Sequence, residues 1–550
     1  MTRPTTAPKP AIDAGLVRAS GVMAIGTLAS RVTGFLRTAV LAAALGSGEL
    51  ADAYNVPNAA PNALYDLLLG GILTSVVVPL LVRATKQDAD GGEKYAQRLL
   101  SAVAVFLGFC SLLAVLGAPW IVELYAHRFA GQQRELGVFF ARFFLPQIFF
   151  YGLAATIGAI LNTRGRFAAP MWTPVINNLV LIATGSLFIA MSTGHATTKL
   201  STGEQLLLGI GTTAGVALQT LALLPSLRAC GFRWRLRFDW RGLGLGEIAR
   251  LAGWVLVYVV VNQIAFAVVT NLAAAAGRVA AAHHVGHGDS YAAYSYAYQV
   301  FQLPYAIVAV SVVTALLPRM SAHAVDARID ALRADLSTGM RLSGVAVVPA
   351  AVGFIALAPE ISALVFAHRN TSPADARYIG WILAAFATGL VPFCLFQLLT
   401  RAFYALRDTR TPALLNAVAT AINIVADFAF YALLPPGSRD IGLAFGFALS
   451  YWLGGWLLAR AARIRLRGLD SRRVLQTYTR LLVASTCGGL VAFGLARLVH
   501  FVLGEGFAAN VVALVAGLGI GCGIFGTLTV RMRVREATDL LTAVLGRFRP

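Results

Sequence analysis

Apolar runs of about 20 residues recur along the whole of this chain, and no long polar stretch separates them. Each is long enough to cross the roughly 30 Å hydrocarbon core of a bilayer as a helix. In lipid the backbone has to satisfy its own hydrogen bonds, so such runs fold only as a bundle of spanning helices. About fourteen spans are predicted, at 16–45, 53–82, 99–126, 137–161, 171–191, 204–226, 250–276, 291–318, 342–366, 378–405, 412–434, 441–460, 477–501 and 507–530. Only 13% of the residues are charged, about half the share of a soluble domain, so no sizeable soluble domain is expected. The first apolar run is too long for a signal-peptide core and ends in no small-residue cleavage site, so it reads as a retained span.

The net charge of +20 invites a nucleic-acid reading, which its distribution argues against. With a cytoplasmic N-terminus, 34 of the 45 Lys and Arg residues fall on the inner side, nine in or beside outer loops, and two inside the first span. This is the positive-inside bias, and it puts both termini in the cytoplasm. Basic clusters such as "RLRGLDSRR" (465–473) then lie against anionic lipid, and no nucleic-acid partner is expected. The five cysteines form no CxxC pair and read as packing residues. His283, His284 and His287 sit in an outer loop that supplies no carboxylate or thiol on a helix, so no metal site is expected there.

The chain repeats itself. "LGAPWIVELYAHR" (116–128) returns as "LAPEISALVFAHR" (357–369), and "ILNTRGRFAAP" (160–170) returns as "YALRDTRTP" (404–412). Both offsets are about 240 residues, or six spans. Six is even, so the copies cross the membrane in the same direction, as in two lobes about an axis along the membrane normal. The expected organisation is a tail at 1–15, an N-lobe at 16–226, a basic linker at 227–249, a C-lobe at 250–460, two further helices at 461–530 and a basic tail at 531–550. Pro57 and Pro61 in the second span, followed by Gly70 and Gly71, and Pro304 in the eighth mark helices expected to break. The first, second, seventh and eighth spans are expected to line a central cavity.

Arg31 and Arg37 stand inside the first span, where permanent charge costs several kcal/mol unless something neutralises it. Arg31 is about 22 Å along that helix, near the midplane. The acid nearest in sequence is Asp52, and an Arg–Asp brace is one reading. One aspartate cannot neutralise two guanidinium groups, so an anionic ligand is the other, and phosphate or pyrophosphate suits the arginine fork best. No GxxxxGK[ST] motif and no cytosolic nucleotide-binding domain are present, so a transporter here would be secondary.

"SRVTGFLR", "ADAYNVPNAAPN" and "GGILTSVVVPLLVR", in this order and spacing, resemble the MurJ (MviN) lipid II flippase family of the multidrug/oligosaccharidyl-lipid/polysaccharide exporter superfamily. The resemblance implies an all-α polytopic membrane protein of fourteen helices in the bacterial plasma membrane. It implies export of the undecaprenyl-pyrophosphate-linked peptidoglycan precursor, lipid II, through an arginine-lined cavity. A groove along the last two helices would take the lipid tail, and cell-wall synthesis or division proteins would be candidate partners. Arg31, Arg37, Asp52, Pro61 and Asn62 match family positions. Where many members have Arg-Arg after the Pro-Asn pair, this chain has Tyr65 and Asp66. Where many have arginine before the proline of the eighth helix, it has Gln299, followed by Gln302 in place of an acid. The binding set carried over is therefore Arg31, Arg37, Asp52, Asn62, Tyr65 and Gln299.

Asn423 and Asp427 lie one turn apart in the eleventh span. Some family members bind sodium with such a pair, so Na+ or H+ is a candidate coupling ion; a plain hydrogen bond or a solvated helix end are the alternatives. The seventh span offers Thr270 and Asn271 but no carboxylate. Two other functions compete. A cation-coupled multidrug exporter would favour an acidic cavity over a basic first helix. An intramembrane enzyme needs clustered carboxylates, histidines or a metal site, which the sequence lacks.

Overall fold

A computed structural model describes residues 14–67, 81, 84, 90–192, 198–239, 245–285 and 288–538. Among them there is no strand. The first half comprises α1 (Ala14–Leu45), α2 (Glu49–Leu67), α3 (Glu93–Leu116), α4 (Ala118–Tyr125), α5 (Gly131–Phe144), α6 (Gln147–Thr163), α7 (Ala168–Met191), α8 (Thr202–Leu221) and α9 (Leu224–Ala229). The second comprises α10 (Leu245–Ala282), α11 (Tyr291–Pro304), a π-helical turn at Tyr305–Ala309, α12 (Val310–Val325), α13 (Ile329–Phe366), α14 (Pro373–Ala387), α15 (Leu390–Ala405), α16 (Arg410–Leu433) and α17 (Arg439–Arg465). The pair α18 (Ser471–Leu503) and α19 (Phe507–Arg531) follows.

Eleven helical stretches among the described residues are long and apolar enough to span a membrane, and the bent pair α14–α15 makes a twelfth. The predicted second span passes Leu67 out of the described residues, and the eighth divides at Pro304. The chain is an all-α polytopic membrane protein. Pro57 and Pro61 do not break α2, which stays helical through both, whereas Pro304 ends α11 and hands over to the π-helical turn.

The repeat seen in the sequence recurs as geometry. α3 stops at Gly117, and α13 has one non-helical residue, Leu357. Each break is followed by a proline, Pro119 or Pro359, which lacks an amide hydrogen and clashes with the preceding turn. Packing falls into two groups, α1–α9 and α10–α17, with α18–α19 laid against α13. Gly488 meets the Gly521 carbonyl, which lets α18 and α19 approach closely.

The two groups meet at one end. A continuous buried core there joins Leu41–Val56 of the first group to Ala292–Phe301 and Phe366 of the second. At the other end the cores are separate, one built around Leu100 and Phe232 and one around Leu336 and Phe403. Hydrogen bonds follow the same division. Thr371 Oγ1 donates to Ala42 O at 2.9 Å, Asn370 Nδ2 to Ala44 O at 2.7 Å, Tyr296 OH to Gly46 O at 3.2 Å and Asn271 Nδ2 to Leu124 O at 2.8 Å. α1 ends at this closed end, and residues 534–537 pack beside Val345, which stands 21 residues of α13 before Phe366 of the closed-end core. The N-terminal end of α1 and residues 534–537 therefore share the opposite end.

Candidate functional site

Between the groups lies a cavity of about 320 Å³ among the described residues. α1 gives it Arg31, Arg37 and Thr38, α7 gives Asn177 and Asn178, α8 gives Gln219, and α11 gives Gln299 and Gln302. None of the ion pairs among the described residues uses Arg31 or Arg37. Two guanidinium groups thus face one half-open space with no carboxylate among the described residues of its wall.

Local packing sets this face of α1. Asn178 Nδ2 donates to Ser30 O and to Thr33 Oγ1, both at 3.0 Å, and its amide lies against Gly34. Gly26 faces the Trp172 ring and Gly185 faces Val40. Small residues at these crossings bring α1 and α7 together. Thr38 Oγ1 donates to Gln299 Oε1 at 2.6 Å, joining the two groups above the cavity. The side-chain oxygen of buried Asn177 has no partner among the described residues and lies against Gly215 of α8.

Three expectations need correction. Asp52 does not pair with Arg31 or Arg37 and does not line the cavity. It is buried at the closed end, where Oδ1 accepts from Ala292 N at 2.7 Å, at the N-terminus of α11. There it satisfies an orphan amide and opposes the positive end of the helix dipole. The seventh span, α10, gives the cavity no residue among the described ones. Thr270 donates to its own helix backbone, and Asn271 is taken up by Leu124 O and His127 N. Lining comes instead from the fifth and sixth spans, α7 and α8. Asn62 and Tyr65 lie on α2, but their side chains fall outside the described residues, as do Gly70, Gly71 and His287.

Asn423 and Asp427 are buried together, and Asn423 Nδ2 donates to Asp427 Oδ2 at 2.8 Å. The pair is no solvated helix end. Asp427 Oδ1 has no partner among the described residues and presses on Gly446 of α17, where a side chain would collide with it. A fully buried carboxylate with one free oxygen calls for a proton or a cation. Among the described residues no group of three His, Cys, Asp or Glu side chains gathers to hold a metal.

The family model for the lipid II flippase MurJ matches residues 41–512. The chain belongs to the MurJ family. Probable lipid II flippases MurJ of Haemophilus influenzae and Vibrio cholerae are 28% and 27% identical to it. The first alignment covers 79% of this chain and 84% of the relative, the second 94% and 97%. The lipid II flippase MurJ of Burkholderia cenocepacia is 27% identical over 85% of this chain and 87% of its own. A solved lipid II flippase MurJ in an inward closed conformation superposes with a TM-score of 0.72 at 20% identity, covering 93% of this chain and 99% of that one. An inward-facing multidrug resistance MATE transporter of the MOP superfamily gives 0.62 at 15% identity, covering 81% and 98%. The MurJ family and the apolar helices make this a multi-pass inner-membrane protein. Arg31 and Arg37 precede the stretch matched by the family model, so the case for them rests on the cavity.

Proposed function

We propose that this protein moves lipid II from the inner to the outer leaflet by alternating access. Lobes at 16–226 and 250–460 rock about the closed end, the terminal end faces the cytoplasm, and α18–α19 flank the undecaprenyl tail. The observation that carries this reading is a pair of arginines, in no ion pair among the described residues, in a cavity that lies between the groups and is closed at one end. Guanidinium forks suit the oxygens of a pyrophosphate, and a site without carboxylates gains from such an anion. A multidrug exporter for cations would need the opposite wall.

Opening at the outer side requires Asp52 to release α11 and Thr38 to release Gln299. An inside-negative potential favours outward movement of the headgroup by about 2.3 kcal/mol per charge per 100 mV. A Na+ or H+ taken by Asp427 with Asn423 then resets the empty carrier. The test is replacement of the resident lipid II flippase in a bacterium depleted of it. Growth with normal lipid II turnover supports the reading. Arrest with lipid II accumulating in the inner leaflet, despite insertion of the protein, overturns it.

A further inference from the structure

The segment that opens α11 is held by carboxylates from three other helices. Gly288 N donates to Asp375 Oδ1 of α14, Ser290 N to Asp440 Oδ2 of α17 and Ala292 N to Asp52 Oδ1 of α2, each at 2.7 Å. Asp289, inside the segment, accepts from Gly437 N at 2.8 Å and from Tyr378 OH of α14. Asp52, Asp289 and Asp440 are at most 4% exposed. None of these four acids enters an ion pair among the described residues. Amides two residues apart are separated by no more than about 7 Å, so three buried carboxyl groups crowd one helix N-terminus. The helix dipole offers about half a positive charge there, too little for three negative ones.

Donors tell the three apart. Asp289 has a donor for each oxygen, and Asp52 sits on the first turn of α11, where the dipole acts most strongly. Asp440 is the least supported. It is fully buried, its donor is Ser290 N, and Oδ1 has no partner among the described residues. Donated hydrogen bonds favour a carboxylate, and burial without them favours the neutral acid. Two cations nearby are engaged elsewhere. Arg439 lays its guanidinium over the Tyr431 ring of α16, 4.3 Å from the centroid, and Arg377 of α14 pairs with Glu505. Tyr294 of α11 lies in the field of Asp440, and Glu49 of α2 in the fields of Asp52 and of Arg278 on α10.

We infer that Asp440 is a proton site of the outer gate, holding a proton while this end is closed and releasing it to the outer side when the end opens. The inference rests on the proposed function, in which Asp52 leaves α11 on opening, and adds to it. Departure of Asp52 takes away one negative charge, admits water and strips the Ala292 amide of its acceptor. Asp440, already bonded to Ser290 N, then ionises and takes over as the cap of α11, its proton passing to water. The helix N-terminus thus keeps an acidic partner in both states, Asp52 in one and Asp440 in the other. Because the closed state binds the extra proton, acid outside holds the gate shut. After the lipid has left, the same acidity favours the return.

The experiment uses the purified full-length protein in nanodiscs, with spin-labelled unnatural amino acids at exposed Gln132 and Leu433. Double electron–electron resonance gives the closed-to-open ratio between about pH 5 and 8, a range that also covers Asp289, pushed up to about 6 by burial. In wild type the ratio should fall as pH rises, approaching about tenfold per pH unit at its steepest, the slope of one released proton. Asp440→Asn stays neutral in both states, so its ratio should hold within about twofold across the range. Asp289→Asn should keep the wild-type slope. A wild-type ratio that does not move with pH would overturn the inference whatever the variants do. So would a wild-type slope in Asp440→Asn or, if that variant does not fold, in Asp440→Ser. An Asp52→Ala protein that stays closed at every pH would instead sink the reading of this end as the outer gate, and this inference with it.

Discussion

Replacing Asp52 with alanine should loosen the closed end by an amount the geometry sets. Its carboxylate crosses between the two helix groups at this end, accepting from Ala292 N at 2.7 Å. A hydrogen bond to a charged acceptor contributes about 1.5–3 kcal/mol, and a charge at a helix N-terminus about 0.3–1 kcal/mol. Their loss favours separation of the groups by about 2–4 kcal/mol, or about thirtyfold to a thousandfold in the closed-to-open ratio. Asp52→Asn keeps an acceptor and loses the charge, so about 1 kcal/mol is expected. Spin labels at exposed Gln132 and Leu433, introduced as unnatural amino acids, report the separation by double electron–electron resonance. The long-distance population should grow strongly in Asp52→Ala and slightly in Asp52→Asn. Identical distributions in all three proteins would refute the capping argument and return Asp52 to the list of headgroup contacts.

Asp427→Asn should reduce transport and abolish its dependence on sodium or pH while leaving lipid II binding intact; matching ion-titration curves for variant and wild type would remove the coupling role. Gly446→Ala should cost about 1–3 kcal/mol of stability, read from thermal unfolding, because the added methyl meets Asp427 Oδ1. Burial pushes the Asp289 carboxyl, in the loop before α11, up from 3.8 to about 6. Between those values the folded state holds a proton the unfolded chain has lost, so stability should fall as pH rises from about 4 to 6 and level off above. Asp289→Asn should flatten that slope, although it also gives up one of the bonds from Gly437 N and Tyr378 OH.

Much of the fold is legible in the sequence, because lipid leaves few alternatives to a helix bundle. The paired breaks at Gly117 and Leu357 follow from repeated prolines at one offset. Nearness in sequence pairs Asp52 with the arginines, but depth separates them. α1 and α2 run antiparallel, with Asp52 three residues into α2 and Arg31 fourteen before the end of α1. At 1.5 Å per residue their depths differ by about 16 Å. The helix end that Asp52 caps lies 240 residues away, which no local pattern reveals. Arg31, Arg37 and Gln299 were recognisable, the arginines as charges in an apolar run and Gln299 as a departure from a family pattern. Asn177, Asn178 and Gln219 carry the same signal more faintly, being neutral polar residues inside apolar spans. Reading those as cavity residues would have pointed to α7 and α8 in place of α10.

Translocation of fluorescent lipid II in proteoliposomes, with wild type compared to Arg31→Gln and Arg37→Gln, tests the role of the basic cavity most directly. Wild type should move the lipid to the opposite leaflet, faster under an inside-negative potential. Each variant should insert and unfold normally yet lose at least about tenfold in rate, since each removes a bidentate contact to pyrophosphate. Wild-type rates in both variants would contradict the account, and the two arginines would then be braces of α1.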